Sequence, residues 1–515
     1  MKLSQRVKAL AMMLSVVVLG VMAAPMAQAT VTPPGISPGL SPFVFAGGSI
    51  SFTATVNSNW ILRSSGGAKG YLDTSGTTSL NGYTTVTYYA PATVSSSYVV
   101  NLNVTNALGG TATQIVMTLE PTTLTKAAIA GLTAMGDDHW VSAGGLPNNN
   151  MNEIYTHQGV YAGAVINVLW SQLEPSPGLY DFSAIDGVLS PWTSVDYSAT
   201  GTNGLQGLAE IAAQSSYNPN VKAKIRLRVD GPPTAPGTPN YVLNYGKTGT
   251  PGGVAISSGG NQIGAYWAND TQTALQNLQT ALAAYYDANP EMVEVTVASC
   301  SSLDGEPYIE AKDSTSLTNL HGETDSSTHG AYNDANRTYC FENAGNPYTV
   351  WKASIIDSDY NQFTDTNGCF PTYSSGCTNA DASIPIAAMV NLKGQFSGRG
   401  SLANHDLPGG TFYPLPTKNG LGTFYPAMAS YGAPIEFQTT VGLDGLGACQ
   451  AVELGIQYNM TEMEVHQTQN AEDGGGGSAA TCLNTAQLGQ LSTLISTRNY
   501  SWSCSGMDSY TGCPH

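Results

Sequence analysis

Two short stretches place carboxylates where a β-rich run is ending. One is Val293-Glu294-Val295-Thr296-Val297-Ala298-Ser299-Cys300, running on to Leu303-Asp304-Gly305-Glu306-Pro307. The other is Ala433-Pro434-Ile435-Glu436-Phe437-Gln438-Thr439. Residues i and i+2 of a strand share a face, so Ile435 and Phe437 lie on one side and Glu436 and Gln438 on the other. A charge beside an apolar face rarely survives burial unless it is paired or used. Two carboxylates facing each other across a cleft are the minimum apparatus for cleaving a glycosidic bond. One carboxyl must hold a proton for the leaving oxygen, which requires a raised pKa. The other must stay ionised to attack the anomeric carbon or to stabilise its positive charge. A reaction that retains configuration would hold the two carboxyls about 5–5.5 Å apart.

The elements that must position such a pair follow from the hydrophobic pattern after Glu120-Pro121. From there β runs alternate with helical stretches, the order of a parallel α/β fold. Strands are expected at 164–170, 223–230, 293–298, 433–439 and 462–466 and at 384–392, a stretch that also fits a helix, with the first of eight near Leu132 and the sixth near Leu402 to Leu407. Residues 270–286 form a helix with Leu275, Leu278, Leu282 and Tyr286 on one face and Asp270 as its N-cap. The expected architecture is a TIM-type (β/α)8 barrel over 121–515, with a loop insertion at about 305–380. Active sites of such barrels lie at the C-terminal strand ends. Arg226, Arg228 and Asp230 share one face of their run, and Glu462, Glu464 and His466 share one face of theirs. Buried parallel strands normally read as continuous apolar runs, so ionisable groups on several of them call for an explanation. Two are open: a binding site, or a structural ion-pair network involving Arg226, Glu294 and Glu462. For a sugar ligand, Arg228 would hold the nucleophile ionised, and His405 and Gln438 would bind hydroxyls. Asp230, Glu464 and His466 complete the polar set, and Trp170 and Trp267 are candidate stacking surfaces.

The run Asn167-Val168-Leu169-Trp170-Ser171-Gln172-Leu173-Glu174-Pro175-Ser176-Pro177-Gly178-Leu179-Tyr180-Asp181-Phe182 resembles the stretch after the second strand in clan A glycoside hydrolases, family 42 β-galactosidases among them. The resemblance is specific at 166–186 and extends to about 122–500 in architecture. Gly305-Glu306-Pro307 is similar to that clan's Asn-Glu-Pro step, where the Glu is the acid/base, with Gly305 in place of the Asn. Glu436 matches the strand-seven nucleophile by order along the barrel. The resemblance implies hydrolysis of an O-glycosidic bond in a polysaccharide or β-linked oligosaccharide, with no cofactor. It implies that Glu174 is structural, closing the loop after strand two.

Lys2, Arg6 and Lys8, an apolar run from Ala9 to Ala24, and Ala27-Gln28-Ala29 are the three parts of a secretory signal peptide, residues 1–29. The mature chain is therefore expected outside the cytoplasm: secreted, periplasmic or at the cell surface, with no membrane span. Residues 30–120 alternate in period two between Gly, Asn, Ser and Pro punctuation, as in 49–56 and 98–104. About seven strands fit there, and the Tyr83…Tyr89-Ala90-Pro91 pattern resembles bacterial immunoglobulin-like sandwich modules. The chain is thus expected to be multidomain, an all-β sandwich followed by an α/β barrel.

The 515 residues carry 18 Lys+Arg against 36 Asp+Glu, a net charge of -18 and a pI near 4.6. That excludes nucleic acid and anionic membranes as natural partners and suits a neutral ligand such as a carbohydrate. All eight cysteines lie from Cys300 onward. In an exported chain an even count favours disulfides, and Cys300–Cys340, Cys369–Cys377, Cys449–Cys482 and Cys504–Cys513 are the pairings considered. No Cys-x-x-Cys or His-x-x-x-His spacing marks a zinc site. The alternatives to a hydrolase are a glycan-binding barrel without activity and an exported structural or adhesive protein. The sequence does not fix the oligomeric state.

Overall fold

The computed structural model describes residues 33–37, 42–64, 67–73, 76–121, 126–135, 159–185, 221–231, 236–245, 254–255, 261–301, 309, 320, 332, 334–360, 383–407, 421–432, 434–439, 445–466 and 485–497. Its N-terminal part is one seven-stranded sheet. The strands are β1 (Ile36–Ser37), β2 (Phe43–Phe45), β3 (Ser49–Ser64), β4 (Tyr71–Leu72), β5 (Ser79–Tyr89), β6 (Tyr98–Asn106) and β7 (Thr113–Glu120). They run in the order β2-β7-β6-β3-β5-β4, with β1 on β3, and only β2 and β7 pair in parallel. Period-two alternation explains the core: Phe52 and Trp60 on β3, Leu102 and Val104 on β6, and Ile115 and Met117 on β7 are all buried.

The second part is a closed barrel of eight parallel strands. These are β8 (Gly131–Met135), β9 (Tyr161–Leu169), β10 (Lys222–Arg228), β13 (Met292–Thr296), β14 (Ile355–Asp359), β15 (Gly400–Leu407), β16 (Ile435–Thr439) and β17 (Glu462–His466). A two-stranded hairpin, β11 (Val254–Ala255) with β12 (Gln262–Ile263), sits between the third and fourth barrel strands. Closure is direct: β17 pairs β8 from Glu462↔Gly131 to His466↔Met135. The helices are α1 (Trp170–Leu173), α2 (Asn240–Leu243), α3 (Asn269–Tyr286), α4 (Asp334–Asn343), α5 (Ser383–Gln395), α6 (Leu421–Ser430), α7 (Gly445–Gln457) and α8 (Thr485–Thr497). One strand face is apolar and belongs to the core, with Ile225, Leu227, Val295, Ile356, Phe437 and Met463 all buried. The opposite face of the same strands carries the charged residues.

The first and sixth barrel strands form at Leu132 and at 400–407, where the sequence places them. The fifth does not. Residues 384–392, read as a strand, lie in α5. The fifth strand is β14, inside the stretch read as a loop insertion, which also contains α4 and the 3-10 turn Asn346–Val350. The run Ile355-Ile356-Asp357-Ser358-Asp359 is short and half polar, so nothing marks it as a strand until its neighbours pair with it. Helix α3 starts at Asn269 with Ala268 as N-cap, so Asp270 lies in the first turn rather than at the cap. The Cys300–Cys340 disulfide is formed, with Cα atoms 5.6 Å apart. Cys449 is disulfide-bonded too. Cys369, Cys377, Cys482, Cys504 and Cys513 lie outside the described residues, as do the signal peptide and Glu306.

Two buried charges tie the parts together. Asp287, just after α3, accepts backbone N–H bonds from Lys352 (2.5 Å), Ala353 (3.0 Å) and Ser354 (2.8 Å), which fixes the entry to β14. Lys126, in the connection to the sheet, donates to the carbonyls of Met292 (2.5 Å) and Tyr286 (3.4 Å) and to Ser354 Oγ (2.8 Å). Burial lowers its pKa to about 7, against the pull of Asp287. Strands β2 and β3 of the sheet pack on α3. Replacing Asp287 by Ala strands three N–H groups and is expected to lower unfolding free energy by about 3 kcal/mol. Urea unfolding would check this, and a loss within error of zero would contradict it.

Candidate active site

The inward face of β10 carries Lys224, Arg226 and Arg228 at i, i+2 and i+4, all at most 5% exposed. Five carboxylates converge on the Lys224 ammonium. Glu294 Oε2 is at 3.1 Å, Glu462 Oε1 at 3.3 Å, Glu464 Oε1 at 3.3 Å and Asp357 Oδ2 at 3.5 Å, and Glu436 is in direct contact. Arg226 reaches both oxygens of Glu464 at 2.6 Å and lies 3.9 Å from Glu436 Oε1. Outer contacts fix this group: Thr133 Oγ1 donates to Glu462 (2.6 Å), and the Ile129 N–H donates to Glu294 (2.6 Å).

Two cations against five carboxylates leave three carboxylates without a matching charge. Their pKa shifts follow. Burial pushes Glu294 up against the opposing pull of Lys224. Burial, then the charges of Asp357 and Glu464, push Glu436 well up. Burial and Glu294 do the same to Glu462. Glu464 goes the other way: burial opposes its charge, but Arg226 and Lys224 outweigh it and hold the carboxyl well below its usual range. Burial also works against the charge of Lys224, yet the surrounding carboxylates raise its pKa well above the ordinary lysine value. The structural network weighed for Arg226, Glu294 and Glu462 therefore exists, and it includes Glu436, Glu464 and Lys224.

Nearer the strand ends, Asp359, the last residue of β14, pairs with His405 Nε2 on β15 at 2.7 Å. Burial raises the Asp359 pKa to about 6, with His405 pulling it back. Gln438, 6% exposed, is in register with Glu464. Asp230 accepts from Asn261 Nδ2 at 3.2 Å. Asn167, 2% exposed, is in register with Arg226, and neither atom of its amide has a hydrogen-bond partner among the described residues. Thr296 Oγ1, at the end of β13, and Asp359 Oδ1 are buried in the same condition. Buried polar atoms are nearly always bonded, so these atoms have bonding capacity left for water or a polar ligand.

The predicted residues divide accordingly. Glu436, Arg228, His405, Gln438 and Glu464 come from four strands of one barrel and are all at most about a tenth exposed. Glu436 is in register with Glu462, the first residue of β17, so it sits one inward position deeper than Gln438. Trp170 is no stacking surface: it is fully buried, and its Nε1 donates to Glu174 Oε2 at 3.1 Å. Glu174 also accepts from the Gly178 N–H at 2.9 Å and closes the loop after β9. Trp267 is 6% exposed and packs on Tyr332, ring centroids 4.8 Å apart, which leaves little face for a sugar. His466 ends β17, but its side chain lies outside what is described, and Glu306 lies outside altogether. Sequence reasoning missed Lys224, Asp357, Asp359, Asn167 and Thr296. Lys224 had a signal, the basic i, i+2, i+4 run of β10; the two aspartates were hidden with their strand.

Two triads bring carboxylate oxygens within 4.8 Å of one another, Glu294/Glu436/Glu462 and Asp357/Asp359/Glu436. Lys224 touches every member of the first, so the protein supplies the cation there itself.

No family model matches the chain, and no curated protein does. Solved structures resemble it distantly. The β-amylase catalytic domain of Paenibacillus polymyxa aligns over 73% of this chain and 99% of its own at 9% identity, with a TM-score of 0.42. A broad-specificity endoglucanase from an uncultured bacterium aligns over 72% and 97% at 10% identity and 0.33. Drosophila N-cadherin aligns over 18% and 34% at 14% identity and 0.14. The barrel assignment rests on the strand pairing and not on these likenesses.

Because Asp359 binds its proton more tightly folded (about 6) than an ordinary aspartate at ~3.9, its contribution to stability is complete below that lower value and is lost as pH rises through about 6. Replacing Asp359 by Asn is therefore expected to flatten the fall of the melting temperature between about pH 4 and 7. Thermal unfolding across that range measures it, and identical slopes for the two proteins would contradict it.

Proposed function

We propose that this chain is an exported glycoside hydrolase that cleaves O-glycosidic bonds in a polysaccharide or β-linked oligosaccharide with two carboxylates. The observation that carries the reading is the polar C-terminal end of the barrel. The Asp359–His405 and Arg226–Glu464 pairs lie near buried, unbonded polar atoms of Asn167 and Thr296. A ligand dense in hydroxyls is the natural partner for such atoms. The 167–182 stretch and its clan A resemblance support the same class. Glu306 is assigned the acid/base role from the Gly-Glu-Pro step, and Glu436 the nucleophile role from its order along the barrel.

Neighbouring carboxyls with pKa values pushed apart divide acid and base roles between them. Glu436, raised, and Glu464, lowered, are such neighbours, and the Lys224 ammonium against Glu436 favours the ionised form that a nucleophile needs. His405 and Gln438 are assigned to sugar hydroxyls, Arg228 to keeping the nucleophile ionised, and Asp230 and His466 to the polar set around the substrate. The N-terminal sheet, read as an immunoglobulin-like module, serves as a spacer or stabilising partner. Export follows from the 1–29 signal, to the periplasm, cell surface or medium.

One observation favours a second reading, a barrel that binds glycans without cleaving them: Glu436 is fully buried against Lys224. Release of reducing ends from a panel of plant and microbial polysaccharides separates the two. The hydrolase reading expects Glu306→Gln to cut kcat by about 10²–10⁴-fold. It expects Glu436→Gln to lose at least as much with the unfolding midpoint retained. Activity that survives either change removes that residue from the mechanism. Sugar binding without cleavage by the wild type establishes the second reading.

A further inference from the structure

A cleft of about 420 Å³ runs between the N-terminal sheet and the flank of the barrel. That volume falls within the ~300–1,000 Å³ of small-molecule sites. One wall is aromatic: Tyr180 after β9, and Tyr241 and Tyr245 on and after α2, all partly exposed. The facing walls mix hydroxyl and amide groups with small apolar side chains such as Ala281 and Ala284. Asn277 and Thr280 project from α3, and Ser49 and Ser51 from β3.

Glu174 lies at the floor, but its oxygens are already occupied. They accept from Trp170 Nε1 and the Gly178 N–H, while the Tyr180 hydroxyl donates to the Asn277 carbonyl at 3.4 Å. That bond holds the Tyr180 ring against α3 before any ligand arrives, which removes part of the ordering cost of binding. No Lys or Arg lines the cleft, so an anion finds no counter-charge. An ammonium finds only a carboxylate whose acceptors are engaged. What remains is aromatic faces opposite hydroxyls and an amide, with no available charge. That pattern matches the alternating C–H faces and hydroxyl edges of a neutral sugar.

We propose that this cleft is a second carbohydrate-binding site, which holds a neutral oligosaccharide segment on the barrel flank. It grips the chain outside the barrel and does not require that the barrel cleave it. The contact between sheet and barrel then has a use beyond stability: it supplies the hydroxyl wall that the tyrosines face.

The test is calorimetric titration of the mature protein with cellohexaose, xylohexaose, maltohexaose and chitohexaose, and with a proline-rich decapeptide as the competing ligand class. Two variants accompany it. Tyr245→Ala removes an aromatic face, and Thr280→Trp fills the cleft from an exposed helix position. The proposal expects a hexasaccharide to bind the wild type. In both variants one site per chain should disappear or weaken at least tenfold, with unfolding midpoints unchanged and any binding at the barrel mouth retained. Unchanged stoichiometry and affinity in the variants would overturn it. So would a wild type that binds none of the four sugars, or that binds only the peptide.

Discussion

The Lys224 ammonium is the centre on which this barrel is organised. Strands β13, β14, β16 and β17 each send at least one carboxylate to it from across the barrel, and every one of these groups is 0–2% exposed. A buried ion pair broken by removing one partner typically costs about 3–5 kcal/mol, because the orphaned charge is left behind. Here one ammonium faces five carboxyls from four strands, so the strands cannot slide past one another without breaking it. The network acts as a register device as much as a source of stability.

The same arithmetic acts on the carboxyls themselves. With fewer cations than carboxylates, burial and mutual repulsion raise the pKa of Glu294, Glu436 and Glu462. Arg226 then separates Glu464 from that group by holding it ionised. The barrel thus contains, a few ångströms apart, carboxyls with raised pKa values and one held below its usual range, a division that arises from the way the core is neutralised.

The legible and illegible parts of the sequence differ for physical reasons. Strands with an apolar face and one interrupting charge were readable, because Ile435/Phe437 against Glu436/Gln438 is a period-two pattern that no helix shares. The basic run of β10 was read from Arg226 onward, which missed Lys224, the residue that matters most. Strand β14 was invisible: Asp357 and Asp359 look like loop residues until Lys224 and His405 are known to face them. The apolar 384–392 run fits a strand or a helix because a short apolar stretch carries no period, and length and tertiary neighbours decide for helix. Trp170 and Glu174 show the converse. The motif that pointed to sugar chemistry is itself a packing and capping device, with the tryptophan donating to the glutamate it precedes.

The most direct measurement is covalent trapping. The mature protein would be incubated with an activated 2-deoxy-2-fluoro glycoside of whichever sugar it turns over, and the intact mass and proteolytic peptides read by mass spectrometry. A retaining two-carboxylate hydrolase predicts a mass gain of one fluoroglycosyl unit on the peptide that carries Glu436, together with loss of activity. Turnover with no trapped species, or a label on a peptide that lacks Glu436, would contradict that account.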